Sequence, residues 1–129
     1  MTATRSPQRP RAAFIGLGAI GAPIARHVAQ STTLAVWNRT RSVAAEFASE
    51  TGASDAESPG SAAAGVAFLL TCLPTSAQVE EVLFGVNGAA PSLNSGAMVI
   101  DCTSGDPATS RKIAARLARS GVAFIDAPV

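Results

Sequence analysis

The 129-residue chain has no tyrosine, one lysine, one histidine, one tryptophan and two cysteines. Without tyrosine, a proton donor built from a tyrosine–lysine pair is excluded. Two cysteines make no disulfide framework; Cys72 and Cys102 each fall near the end of an expected strand and read as buried small hydrophobes, which suits a reducing cytoplasm. Charge is scarce as well. With 15% charged residues and a net charge of +1, the chain exerts no electrostatic pull on nucleic acid. The longest apolar run, residues 66–73, is about ten residues short of a membrane span. The N-terminus lacks the apolar core of a signal peptide, so neither export nor membrane insertion is expected.

What the chain does have is 47% hydrophobic residues, enough length for one domain, and about two-thirds of its unfolded surface to bury. Residues 1–11 (MTATRSPQRPR) hold two prolines, three arginines and almost nothing to bury, and are expected to be a disordered arm. Residues 12–129 form the domain.

Residues 16–40 organise the rest. An apolar strand over residues 12–15 runs into Gly16-Leu17-Gly18-Ala19-Ile20-Gly21, and helix-period apolar residues follow at Ile20, Ile24, Ala25 and Val28. This is the strand, glycine turn and helix of a dinucleotide-binding unit. Gly16 allows the tight turn, Gly18 lets the backbone approach a pyrophosphate, and Gly21 lets the helix pack close to the strand. The pyrophosphate is expected on the unpaired N–H groups at the positive helix end.

A second strand, residues 33–37, delivers Asn38-Arg39-Thr40 about 20 residues on, where an acid would bond the free 2′-hydroxyl of NAD. An amide, a guanidinium and a hydroxyl stand there instead and suit a 2′-phosphate, so NADP is expected, with NAD weaker. Thr40 also stands where it can cap the next helix, whose stripe is Val43, Ala44, Phe47 and Ala48 and which stops near Gly52.

Residues 53–65 are consistent with a short strand and a short helix starting near Ser58-Pro59. The run at 66–73 shows no alternation, as expected for a central parallel strand covered on both faces. Thr75 and Gln78 have capping-box spacing before a helix carrying Val79, Val82 and Leu83 to about Gly85. Residues 97–100 form the fifth strand, Asp106-Pro107 starts a helix that Gly121 ends, and residues 122–125 form the sixth strand. Alternating strands and helices predict an α/β, Rossmann-type doubly wound parallel sheet in the order 3-2-1-4-5-6. His27 and Lys112 lie on helices away from the glycine turn and read as packing or solvated side chains.

The glycine segment, Asn38-Arg39-Thr40, Leu73-Pro74-Thr75 with Val79 to Leu83, Asp101-Cys102-Thr103-Ser104 with Pro107, and Asp126-Ala127-Pro128-Val129 occur in this order. Together they resemble the N-terminal domain of the β-hydroxyacid dehydrogenase family, which includes 3-hydroxyisobutyrate dehydrogenase, tartronate semialdehyde and glyoxylate reductases, and 6-phosphogluconate dehydrogenase. The resemblance implies that Gly16, Leu17, Gly18, Ala19, Ile20, Gly21, Asn38, Arg39 and Thr40 bind NAD(P). It also implies that Leu73 and Pro74 line the nicotinamide ribose, and that Thr103 with Ser104, in reversed order from the family's Ser-Thr, borders nicotinamide and substrate.

The family continues past its Asp-Ala-Pro-Val segment into Ser-Gly-Gly, an interdomain helix and a helical domain that supplies a catalytic lysine. The resemblance therefore implies an NADP-binding domain of an oxidoreductase, truncated or a fragment, with no catalytic residue of its own. A small carboxylate-bearing substrate would be a partner only of the full-length form. Homo-oligomers are expected from apolar surface left bare. A stand-alone nucleotide-binding or interaction module, or the first domain of an imine reductase, are the rival expectations.

Overall fold

A computed structural model describes residues 8–129; the expected arm's residues 1–7 lie outside the described residues. Six parallel strands form one sheet in the order β3-β2-β1-β4-β5-β6. In chain order the elements are β1 (Arg11–Ile15), α1 (Gly21–Ala29), β2 (Thr33–Trp37), α2 (Arg41–Thr51), β3 (Ser54–Asp55), α3 (Pro59–Ala63), β4 (Phe68–Thr71), α4 (Ser76–Phe84), β5 (Met98–Asp101), α5 (Pro107–Ala118) and β6 (Ala123–Asp126). The sheet takes in Arg11, and the carbonyl of Pro10 accepts from the N–H of Thr33 at 2.9 Å, so the paired backbone reaches into the segment expected to be an arm.

The pleat sorts β1 onto two cores. Ala13 and Ile15 share one face with Leu69 and Val99, packed by α3, α4 and α5 through Ala62, Val79, Leu83, Ile113 and Leu117. Ala12 and Phe14 share the other with Leu34 and Val36, packed by α1 and α2 through Ala25, Ala44 and Phe47. Both faces of β1 are thus fully buried, as its unbroken apolar run requires. Truncating Phe14 to alanine removes a side chain with no solvent exposure, a loss of about 3–5 kcal/mol.

The second layer stops short. Among the described residues only α1 and α2 lie on the Phe14 face, and they stand over the β1–β2 side of the sheet. Phe68 and Leu70 of β4, with Met98 and Ile100 of β5, are consequently only half-buried, and Ile125 of β6 is 44% exposed. The expectation that residues 66–73 are covered on both faces is met on the Leu69 face and only in part on the other, where Phe68 and Leu70 pack half-buried against the α1–α2 core and no helix among the described residues continues the layer.

Helix ends follow their chemistry. Ser58 and Ser61 complete a capping box at α3, and both carboxylate oxygens of Asp106 serve the start of α5, accepting from the N–H groups of Ala108 and Thr109. At α4 the expected box is half-formed: Thr75 Oγ1 accepts from the N–H of Gln78 at 3.3 Å, but the Gln78 side chain does not reach back. Gly52 ends α2 with φ +79°, a left-handed conformation that a side chain would disfavour. No helix among the described residues is long and apolar enough to cross a membrane.

Candidate cofactor-binding site

The glycine turn is held from three sides. Gly16, at φ +101°, donates its N–H to the carbonyl of Trp37 at 3.1 Å, and a Cβ there would strike the carbonyl of Cys72. A Cβ on Gly21 would strike the carbonyl of Gly16. Gly18 differs: a Cβ added there meets nothing within 4 Å, so it faces open space in front of α1. That helix has no side-chain cap and no acid in its first turn, leaving its positive end free for an anion.

The β2 end is tied to the turn by one side chain. Asn38 Oδ1 accepts from the N–H of Leu17 at 2.8 Å, and its Nδ2 donates to the carbonyl of Thr40 at 3.1 Å. An amide suits this place because it needs an acceptor and a donor at once. Thr40 stands at the N-cap position of α2, yet its hydroxyl makes no capping bond. Arg41 is paired to Asp55 at 2.9 Å, whereas Arg39 has no ion pair among the described residues.

The β4 and β5 ends are joined by a buried acid. Asp101, 1% exposed, accepts at Oδ1 from the Thr71 hydroxyl at 2.9 Å and from the N–H of Thr103 at 3.0 Å. Thr103 Oγ1 in turn accepts from the N–H of Leu73 at 3.0 Å. Ser76 Oγ accepts from the N–H of Asp106 at 2.7 Å, a second tie between the two loops. These bonds satisfy backbone groups that would otherwise be orphaned at the carboxyl edge. Burial, and then the negative charge of Asp101, push the Cys72 thiol up; burial does the same to Cys102, so both are protonated at neutral pH.

A cavity of about 640 Å³ opens between these loops. Gly16, Gly18, Ala19, Ile20 and Gly21 line it, as do Asn38, Arg39, Thr40, Leu73 and Pro74. Two of the expected ligands do not. Leu17 is buried in the core beneath the turn, and Thr103 is 1% exposed, its hydroxyl engaged by Leu73. Ser104 is exposed, its hydroxyl donating to the carbonyl of Val129 at 3.0 Å. His27 and Lys112 are exposed on α1 and α5 and do not line the cavity.

The cavity also takes in residues that sequence reasoning missed: Trp37, Pro59, Cys72, Gln78, Glu81, Val82 and Val86. The α4 members sit at helical spacing, which was legible. That this face meets the cavity depends on how α3 and α4 pack, and no local signal carries it.

The cavity suits a dinucleotide in size, in its open glycine and in its free helix end. Residues 11–129 match the family described as the NAD binding domain of 6-phosphogluconate dehydrogenase. Over 118 residues the chain is 36% identical to 3-sulfolactaldehyde reductase of Escherichia coli K12, covering 91% of this chain and 39% of that protein. It is 34% identical over 117 residues to mitochondrial 3-hydroxyisobutyrate dehydrogenase of Mus musculus, covering 90% of this chain and 35% of that protein. The fold matches the solved 3-hydroxyisobutyrate dehydrogenase of Mycobacterium tuberculosis with a TM-score of 0.83 at 24% identity, covering 95% of this chain and 41% of that one. The chain thus spans about two-fifths of the length of these relatives. With strand order, glycine turn and cavity in agreement, the chain belongs to the family of the 6-phosphogluconate dehydrogenase NAD-binding domain.

Proposed function

We propose that the chain is the NADP(H)-binding part of an oxidoreductase acting on a small hydroxy acid or semialdehyde that carries a carboxylate. The name of 3-hydroxyisobutyrate dehydrogenase supports this class, and that of 3-sulfolactaldehyde reductase supports a small anionic aldehyde whose charge is a sulfonate. The observation that carries the cofactor preference is Arg39: it lines the cavity, has no ion pair among the described residues, and has no acid beside it on the Asn38-Arg39-Thr40 segment. Arg41 is committed to Asp55, so one guanidinium remains for a 2′-phosphate.

The chain's part is to bind and orient. The uncapped end of α1 holds the pyrophosphate against Gly18, Asn38 keeps the turn registered to the β2 end, and the Asp101–Thr103 link fixes the Leu73-Pro74 lip. The nicotinamide, when bound, supplies the hydride. Protonated thiols without a disulfide suit a reducing cytoplasm.

Titrating NADPH and NADH against the chain and against Arg39→Ala tests this reading. The wild type is expected to favour NADPH. The variant should lose about 1.5–3 kcal/mol for NADPH and little for NADH, the range for a hydrogen bond to a charged group. Equal losses for both cofactors would remove Arg39 from phosphate recognition.

A further inference from the structure

Besides the glycine turn and the start of α1, the cavity is lined by the apolar side chains of Trp37, Pro59, Val82 and Val86. In this fold the ribose that carries the 2′-substituent sits at the end of the second strand, so its base belongs against these apolar walls. Flat, apolar walls suit a purine but do not tell one purine from another. Discrimination needs a polar group, and α4 places one there.

Glu81 lines the cavity beside Val82, is exposed, and has no hydrogen bond or ion pair from its carboxylate among the described residues. One turn earlier on the same wall, Gln78 Oε1 is the buried side-chain oxygen that has no donor among the described residues. The wall therefore has acceptors to spare. A carboxylate accepts and never donates at neutral pH, so the ligand group that meets it must carry N–H.

We propose that Glu81 reads the exocyclic amine of an adenine ring, which makes this part of the cavity selective for a 6-aminopurine. The inference rests on the dinucleotide reading above. An N–H of the amine donates to the Glu81 carboxylate while the ring lies between Trp37, Pro59 and Val82. A base with no donor at that position leaves the carboxylate to desolvate without return.

The test compares NADPH with its purine analogue, in which hydrogen replaces the 6-amine, using quenching of Trp37, the chain's one tryptophan, backed by equilibrium dialysis. The wild type is expected to bind NADPH about tenfold more tightly than the analogue, the scale of one hydrogen bond to a charged group. Glu81→Leu should bring the two to parity, and Glu81→Gln, which keeps a neutral acceptor, should retain part of the difference. The ratio is what matters, because removing a negative charge shifts the binding of both anionic ligands together. Equal binding of the two by the wild type, or an unchanged ratio in Glu81→Leu, overturns the proposal; a ratio lost in Gln78→Leu instead would move the reading to Gln78. If the analogue and NADPH both fail to bind, the dinucleotide reading falls with it, whereas tight binding of NADPH without discrimination sinks only the role of Glu81.

Discussion

A Cβ added at Gly18 would touch nothing within 4 Å, whereas at Gly16 or Gly21 it would run into a backbone carbonyl. The same spacing in sequence thus covers two jobs: Gly16 and Gly21 are needed by the fold, and Gly18 keeps a space empty. Gly18→Val is accordingly expected to leave the circular dichroism spectrum and melting curve close to wild type while abolishing NADPH binding, since the side chain would stand where the pyrophosphate lies. Gly21→Val should instead destabilise by about 1–3 kcal/mol through overpacking. A well-folded Gly18→Val protein that binds as tightly as wild type would reduce the turn to a structural feature. The sequence made the glycines, Asn38 and Thr103 legible as a constellation, because spacing and order identify them. It did not reveal that Asn38 spends its amide oxygen on the Leu17 N–H, or that Thr103 spends its hydroxyl on the Leu73 N–H. Whether a polar side chain at a strand end meets the ligand or a neighbouring loop is set by contacts across 21 and 30 residues of chain, beyond any local pattern.

The start of α5 offers a test at the level of one element. Asp106 is held below the ordinary carboxylate value of 3.8, first by the hydroxyl of Thr109 and then by its N–H. A lowered folded-state value means that the stabilising contribution is complete above the unfolded-state value and is lost as pH falls through the folded one. Asp106→Asn keeps an N-cap oxygen without a titrating group. The stability gap between wild type and Asp106→Asn, measured by urea denaturation, should hold steady at neutral and mildly acidic pH and narrow below 3.8. A gap that stays constant through the acid range would mean that the carboxylate's charge adds nothing. The elements themselves were legible: all six strands, their order and the starts of α3, α4 and α5 follow from apolar runs, Pro and N-cap residues. Strand ends moved by a residue or two: β4 is shortened to Phe68–Thr71 because Cys72 and Leu73 leave the ladder for the carboxyl-edge loop, whereas β5 and β6 run one residue further, to Asp101 and Asp126. The α4 wall of the cavity stayed hidden because Val82 serves both the core stripe and the cavity rim.

For the molecule as a whole, the uneven helix layers leave Phe68, Leu70, Met98, Ile100 and Ile125 as a half-covered apolar face on β4, β5 and β6. Such a face is expected to bind a hydrophobic dye and to drive self-association that rises with concentration in sedimentation experiments. Ile125→Asp should weaken both without changing NADPH affinity, and an unaltered sedimentation profile would place the association elsewhere. The last prediction concerns chemistry. The ionisable side chains lining the cavity are Arg39, Cys72 and Glu81. Burial pushes the Cys72 thiol up, away from a value suited to delivering a proton at neutral pH, and among the described residues no histidine, lysine or tyrosine lines the cavity. Lys112 is exposed on α5 and does not line the cavity. Loss of a general acid alone costs about 10²–10⁴-fold in rate. These 129 residues are therefore expected to bind NADPH but not to oxidise it detectably with glyoxylate or succinic semialdehyde, as followed by nicotinamide absorbance. Turnover that depends on added substrate and disappears in Lys112→Met would show that this lysine reaches the site and that the proton donor lies within the chain.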